Sequence, residues 1–250
     1  LLEVMNRADL TVLGEIHDNP RHHEVRGEWL RTLRPQTSVV AEHLTAPLQM
    51  SASTDLLQGL SATGFDPQGW QWPLHQPLFA SIQERRLSLW GGNIRKEDSP
   101  GIFKSKGETA PPVLLALLAQ APLSEQGRQD LQREIDDGHC GALPSHMFEG
   151  MMAVQRTRDA SMAHAALQHL PAVVLAGNGH AWKHLGVPQI IRANRPDVHV
   201  VSVLLLEHEP FANDVEQQTW LKSWVGKADY VWAGPAIQRP DPCLRFKPSK

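Results

Sequence analysis

Histidines and carboxylates recur at matched positions in this sequence. Two Gly-x-x-His motifs, residues 14–17 and 177–180, each follow an apolar segment, and Glu42 follows a third. Imidazoles and carboxylates bind zinc, iron and manganese, and they also serve as general acids and bases. We therefore predict a cluster of Glu15, His17, Glu42 and His180, which either binds a metal or forms a hydrogen-bonded network that shapes a crevice.

The elements that must position these residues alternate between apolar strands and amphipathic helices, which is typical of an α/β fold with a mostly parallel sheet flanked by helices. Strands are predicted at 9–16, 38–42, 87–91, 172–176, 199–206 and 230–233. Helices are predicted at 22–33, 76–86, 185–193 and 215–225. Because ligand sites of open α/β sheets lie beyond the carboxyl ends of the strands, the cluster is expected in that crevice.

The middle of the chain lacks a convincing strand. We predict an exposed connection at 96–112, then helices at 112–120, 124–137 and 144–170, with Ser124 as an N-cap and Gly138 as a C-cap. The expected division is an α/β sheet domain of residues 1–95 and 165–250 and a smaller all-helical subdomain of residues 96–164.

One face of the predicted helix 144–170 is rich in methionine. Met147, Met151 and Arg158 lie on a stripe that also includes Val154 and Met162. Such a stripe either fills a core or forms a flat apolar wall for a porphyrin, with Arg158 pairing with a propionate. His139 and His146 are candidate axial donors. Asp159 on the same helix could instead reach the histidine cluster.

Residues next to the first motif have simpler expected roles. Asn19 before Pro20 is a predicted helix cap, and His22 and His23 are expected to be a solvated pair in the first turn. The two cysteines, Cys140 and Cys243, are compatible with one disulfide or with two free thiols.

Composition excludes several classes of function. The chain has 250 residues, with 24 Lys and Arg against 27 Asp and Glu, so no basic excess is available for nucleic acid. Neither a nucleotide-binding glycine motif nor a Gly-x-Ser-x-Gly elbow occurs, and no apolar run is long enough to cross a membrane. Because the chain opens at Leu1, we expect a processed form from which an export signal or a lipid anchor has been removed.

Several motifs together resemble the ChaN-like haem-binding lipoproteins of the Tiki-related superfamily. They are VLGEIHDNP at 12–20, VAEH at 40–43, Gln155 with RDASMA at 158–163, LAGNGH at 175–180, GVP at 186–188 and DYVW at 229–232. The resemblance implies a parallel sheet with a small helical domain, in a lipoprotein on the periplasmic side of the bacterial outer membrane. It also implies uptake of haem, as ferric iron protoporphyrin IX, bound at a homodimer interface through a tyrosine. The single tyrosine here is Tyr230.

The Tiki relatives imply a rival function that uses the same residues. In them, paired Gly-x-x-His motifs and a glutamate form a metal-dependent protease site. By this resemblance His17, Glu42 and His180 would hold a divalent metal, with Glu42 as the catalytic carboxylate. We expect haem binding and hand-over, with an outer-membrane haem receptor as a partner, rather than catalysis.

Overall fold

The protein, described here as a computed structural model covering residues 1–51 and 55–246, is built on one six-stranded parallel sheet. The strands are β1 (Leu10–Leu13), β2 (Ser38–Thr45), β3 (Leu89–Asn93), β4 (Ala172–Leu175), β5 (Val200–Glu207) and β6 (Tyr230–Gly234). Their order is β3-β2-β4-β1-β5-β6. The predicted α/β fold is confirmed, and each strand lies where the apolar pattern indicated, although β1 ends three residues earlier than expected.

Helices cover both faces of the sheet. They are α1 (Leu2–Arg7), α2 (Pro20–Leu30), α3 (Leu56–Ala62), α4 (Gln76–Glu84), α5 (Ser99–Lys104), α6 (Pro112–Gln120), α7 (Glu125–Gly138), α8 (Phe148–Gln168), α9 (Asn178–Ala181), α10 (Val187–Asn194) and α11 (Asp214–Lys222). Short 3-10 turns occupy Ser145–Met147 and Pro242–Phe246. Successive residues of β1 point to opposite faces of the sheet. Val12 joins the core under α8 and α10, whereas Leu13 joins the core under α2 and α4.

Local signals located several helix ends correctly. The Asn19 side chain accepts from the N–H of Arg21 at 2.9 Å, and Ser124 Oγ accepts from the N–H of Gly127 at 3.0 Å, so both predicted N-caps are confirmed. Gly138 is instead the last residue of α7, and the left-handed backbone follows at Cys140 and Gly141, with φ of 58° and 67°.

In the middle of the chain one prediction is wrong, and one helix is confirmed with a later start. The stretch predicted as an exposed connection contains α5, which forms because Ile102 can be buried against the rest of the fold. The segment predicted as one helix from 144 to 170 begins with a 3-10 turn and becomes α-helical only at Phe148.

Helix α8 lies directly on the sheet. A Cβ added to Gly92 of β3 would come within 2.8 Å of the Met162 side chain, and Met162 is fully buried. Met162 is therefore core, in contrast to the other half of the predicted methionine stripe. The division at residues 96 and 164 stays a prediction.

The C-terminal segment is joined to the helical region. Cys140 and Cys243 form a disulfide across 103 residues of sequence, with Cα atoms 5.6 Å apart. The two cysteines could form one disulfide or remain two free thiols, and the structure has the disulfide. In the part of the chain that the structure describes, no helix has the length and apolarity needed to span a bilayer.

Candidate functional site

The predicted crevice lies beyond the carboxyl ends of β1, β2 and β4. Glu15 and His17 follow β1, Glu42 is in the last half of β2, and His180 is on α9 after β4. Close approach is possible because Gly177 has no side chain: a Cβ there would lie 2.6 Å from His17 Nε2. The structure thus brings together all four residues that the two motifs and Glu42 predicted, although they are far apart in sequence.

Glu15 is the centre of a buried cluster. Its Oε1 lies 2.9 Å from His17 Nδ1, 3.2 Å from His43 Nε2 and 3.8 Å from His75 Nε2. The other oxygen, Oε2, contacts the guanidinium of Arg26, whose side chain is completely buried. One oxygen of the carboxylate is therefore neutralised by Arg26, while the other faces three imidazoles.

Two of the histidines around Glu15, the buried His43 and His75, are neutral at physiological pH. Burial and the charge of His17 hold the pKa of His43 well below its usual range, and burial also lowers the pKa of His75. His75 is 1 % exposed, yet neither of its ring nitrogens has a hydrogen-bond partner in the described chain. Neutral, unpartnered imidazole nitrogens beside a carboxylate oxygen are the donors that a zinc-like cation takes.

Glu42 and Asp159 hold His180 between them. His180 Nδ1 lies 2.6 Å from Asp159 Oδ1, and His180 Nε2 lies 3.4 Å from Glu42 Oε1. Burial disfavours a charged imidazole, but the two carboxylates outweigh it and raise the pKa of His180 to about 10. Burial likewise disfavours a charged Glu42, but His180 and His17 outweigh it and lower the pKa of Glu42. The result is an imidazole that favours its charged form between two acidic groups, of which Glu42 is the more firmly ionised because burial raises the pKa of Asp159.

His17 connects the two groups and faces outwards. Its Nδ1 contacts Glu15, and its Nε2 lies 3.8 Å from Glu42 Oε2. The side chain is 41 % exposed, whereas those of Glu15 and Glu42 are at most 6 % exposed. The Trp70 ring packs against His17 at 5.0 Å and against His43 at 4.4 Å between centroids. An incoming ligand would therefore meet His17 and Trp70 first.

The expectation of a solvated His22 and His23 is wrong. Both are fully buried, because the first turn of α2 packs against residues 15–17, which follow β1. His22 Nδ1 accepts from the N–H of Ile16 at 3.0 Å, and His23 Nδ1 lies 2.9 Å from Glu15 Oε2. Burial lowers the pKa of each to about 4, so both are neutral.

Sequence reasoning missed five residues of the cluster: His23, Arg26, His43, Trp70 and His75. A signal existed for His23 and Arg26, since three-residue spacing puts both on one face of α2. His43 adjoins the predicted Glu42. Trp70 and His75 lie between β2 and α4 in a stretch with no strand pattern, and nothing local indicated their role.

Two cavities adjoin the crevice. One, of about 500 Å³, runs between α5, α7 and α8, with apolar walls from Phe103, Ile135, Met151 and Val154. The other, of about 300 Å³, lies beside Glu42, His43 and Trp70. Ser99 and Arg158 line both cavities. A groove therefore leads from the apolar helical walls to the buried cluster.

The haem candidates differ in position. The larger cavity is lined by His139, Met151 and Arg158, as a porphyrin wall requires. His146 and Met147 are in the 3-10 turn before α8, and His146 is exposed. Tyr230 begins the edge strand β6, is 39 % exposed and is not part of the wall of this cavity. Asp159 faces the crevice instead, as its alternative role predicted.

An all-parallel sheet with buried histidines and carboxylates beyond its carboxyl ends defines an α/β protein with polar groups at the edge where such folds commonly place ligand sites. The chain belongs to the family described as "Haem-binding uptake, Tiki superfamily, ChaN", which matches residues 1–191. The resemblance found in the motifs is thereby confirmed. No curated protein matches the chain significantly.

The fold is shared with a solved structure. ChaN of Campylobacter jejuni, described with cofacially bound haem, is 19 % identical with a TM-score of 0.67, over 92 % of this chain and 88 % of that one. A Bacillus cereus protein is 13 % identical with a TM-score of 0.45, over 83 % and 68 %. The type III effector HopBA1 is 12 % identical with a TM-score of 0.46, over 94 % and 92 %.

Proposed function

We propose that this protein binds haem in the groove between α5, α7 and α8 and takes part in haem uptake. The observation that carries the proposal is the cavity of about 500 Å³ whose walls are apolar apart from a few polar side chains, among them Arg158. Flat macrocycles need apolar walls, and their carboxylates need a cation. Membership of a haem-binding uptake family supports the same conclusion.

The residues of this groove fit a porphyrin. Met151, Val154 and Phe103 would bury its faces, and Arg158 is available for a propionate because its buried Nε has no partner in the described chain. When bound, haem supplies an iron that accepts one or two axial donors. His139 and Met151 are the donors that line the groove, and His17 stands exposed at the crevice. We propose ferric protoporphyrin IX as the form bound.

We further propose that the protein acts in the cell envelope, as a lipoprotein that passes haem to or from an outer-membrane receptor. The disulfide between Cys140 and Cys243 supports this location, because structural disulfides persist in oxidising compartments. A haem with one face exposed would also favour a homodimer that buries this face between two copies. Analytical ultracentrifugation with and without haem tests the dimer.

A ferric haem titration followed by visible absorption tests the binding. We expect a saturable Soret shift near one haem per chain. His139→Ala should alter the spectrum, whereas His146→Ala, at an exposed histidine of the nearby 3-10 turn, is the matched control. Tyr230→Phe tests the phenol as a ligand, since loss of a phenolate donor changes the spectrum. No saturable shift at micromolar protein would refute the proposal.

A second candidate function, metal-dependent hydrolysis, is favoured by the buried cluster. Donor atoms of Glu15, His17, His43 and His75 all lie within 4.8 Å of one another. These residues, rather than His17, Glu42 and His180, would hold a divalent cation. Both ring nitrogens of His75 lack a hydrogen-bond partner among residues 1–51 and 55–246, while His180 is engaged by carboxylates. A cation there would acidify a bound water. Glu42, 3.8 Å from His17, could accept its proton.

Elemental analysis of the purified protein tests this candidate. We expect about one zinc or manganese per chain, lost in His75→Ala and kept in His146→Ala. Chelator-sensitive cleavage of a peptide library would establish hydrolysis. A metal-free protein whose thermal unfolding does not change on adding zinc or manganese would exclude the site.

A further inference from the structure

Arg158 differs from the other arginines of its region because it has no hydrogen bond or ion pair in the described chain. Arg156, two residues earlier on α8, donates to the carbonyls of Leu185 and Ala121, both at 2.7 Å. Arg133 on α7 pairs with Asp130 at 3.1 Å. Within residues 1–51 and 55–246, no hydrogen bond or ion pair of Arg158 is found, and its Nε is buried.

Ser99, which lines the same cavities as Arg158, also has a buried polar atom without a hydrogen-bond partner among the residues that the structure describes. Its Oγ is buried without a hydrogen-bond partner in the described residues. Ser99 begins α5, which packs against α8: a Cβ added to Gly150 of α8 would lie 2.6 Å from the Phe103 ring. Both Ser99 and Arg158 line the larger and the smaller cavity. Two donors without a partner in the described chain therefore line both cavities, and we call the place they share the junction.

Unpaired buried donors are costly, so a site that keeps two of them together is suited to a ligand that accepts hydrogen bonds. A guanidinium and a hydroxyl match a carboxylate, which can take two parallel bonds from arginine and one from serine. The apolar walls of the larger cavity begin on one side of this junction, and Trp70 stands on the other.

We propose that Ser99 and Arg158 form a carboxylate-binding subsite that orients a flat apolar ligand in the groove. The ligand's apolar body lies against Met151, Val154 and Phe103, and its carboxylate enters the junction. The subsite rests on the proposed haem function, in which the carboxylate is a propionate. It predicts that the protein distinguishes a free acid from its ester, a property that apolar walls alone do not provide.

The test compares ferric protoporphyrin IX with its dimethyl ester, in the same detergent buffer, by titration of the Soret band. We expect the wild-type protein to bind the free acid about tenfold to a hundredfold more tightly than the ester. Arg158→Met should remove most of this ratio by weakening the acid alone, and Ser99→Ala should reduce it about threefold to tenfold. Arg158→Lys should keep part of it, since lysine keeps the charge without the planar fork.

Arg133→Met is the matched control, because it removes an exposed guanidinium from the neighbouring helix and should leave the ratio unchanged. If Arg158→Met does not fold, Arg158→Lys and Ser99→Ala decide. Equal weakening of acid and ester in Arg158→Met, or no weakening, refutes the subsite while haem binding stands. If the wild-type protein binds neither ligand, both the subsite and the haem function are refuted.

Discussion

Removing the charge of Glu15 should be among the most destabilising single changes in this protein. Glu15 contacts Arg26, which is completely buried and has a guanidinium Nε without a partner in the described chain. Burial lowers the pKa of Arg26 to about 9, so the guanidinium still carries its charge at neutral pH. In Glu15→Gln that charge stays buried and loses its adjacent counter-charge.

The expected cost follows from the burial. Breaking a buried ion pair by removing one partner costs about 3–5 kcal/mol of unfolding free energy. For a chain of this size, each kcal/mol lowers Tm by about 2–4 °C, so Glu15→Gln should lower Tm by about 6–20 °C. The double variant Glu15→Gln/Arg26→Met removes both charges and should be more stable than Glu15→Gln, with a coupling energy of up to about 3 kcal/mol.

Urea unfolding of metal-free protein at pH 7, followed by circular dichroism, measures the free energies of wild type, Glu15→Gln, Arg26→Met and the double variant, the four that a coupling energy requires. Arg31→Met is the control. It breaks the exposed ion pair in which Arg31 Nε lies 2.7 Å from Glu84 Oε2, and it should lower the free energy of unfolding by less than about 1 kcal/mol. A loss below about 1 kcal/mol in Glu15→Gln, or strictly additive effects in the double variant, would contradict the assignment of a buried ion pair to this cluster.

Three further predictions concern the site and its surroundings. Asp159→Asn should lower the pKa of His180 from about 10, which NMR titration of the imidazole measures, and an unchanged pKa would refute the pairing. In the wild-type protein the charged imidazole stabilises the fold fully below about pH 6.5, and this stabilisation is lost as the pH rises through 10. Gly177→Ala should displace His17 and cost about 1–3 kcal/mol in urea unfolding, because the new Cβ would lie 2.6 Å from Nε2; a variant as stable as wild type with unchanged His17 chemical shifts would contradict this contact. Cys140→Ser/Cys243→Ser should lose about 2–5 kcal/mol because the disulfide closes 103 residues of chain, and dithiothreitol should then have no further effect, whereas equal stability of variant and wild type under oxidising conditions would argue against the bond.

Much of the candidate site was predictable from short patterns. The six strands followed from apolar runs, and the two Gly-x-x-His motifs at strand ends indicated that His17 and His180 would meet. Parallel strands put their carboxyl ends at one edge, so no distant contact had to be known. The same reasoning placed Glu42 at this edge because it comes late in β2.

Predictions were wrong where burial decided the outcome. The sequence shows two histidines in the first turn of α2, a position that is solvated in many helices, and only the packing of this turn against residues 15–17 makes them core. In the same way Met151 and Met162 share one stripe, yet Met162 faces the sheet and Met151 faces a cavity. Helical spacing predicts on which side of a helix a residue lies, but it does not predict what packs against that side in the folded protein.

The sequence by itself determined the parallel sheet, the family and the edge of the sheet at which polar residues gather, because these depend on local periodicity and on motifs within a few residues. Only the tertiary structure decided that His43 and His75 join His17 around Glu15, that Arg26 neutralises one side of this carboxylate, and that Arg158 has no partner in the described part of the chain. Those outcomes depend on which surfaces pack together, and packing brings together side chains that no spacing along the chain relates.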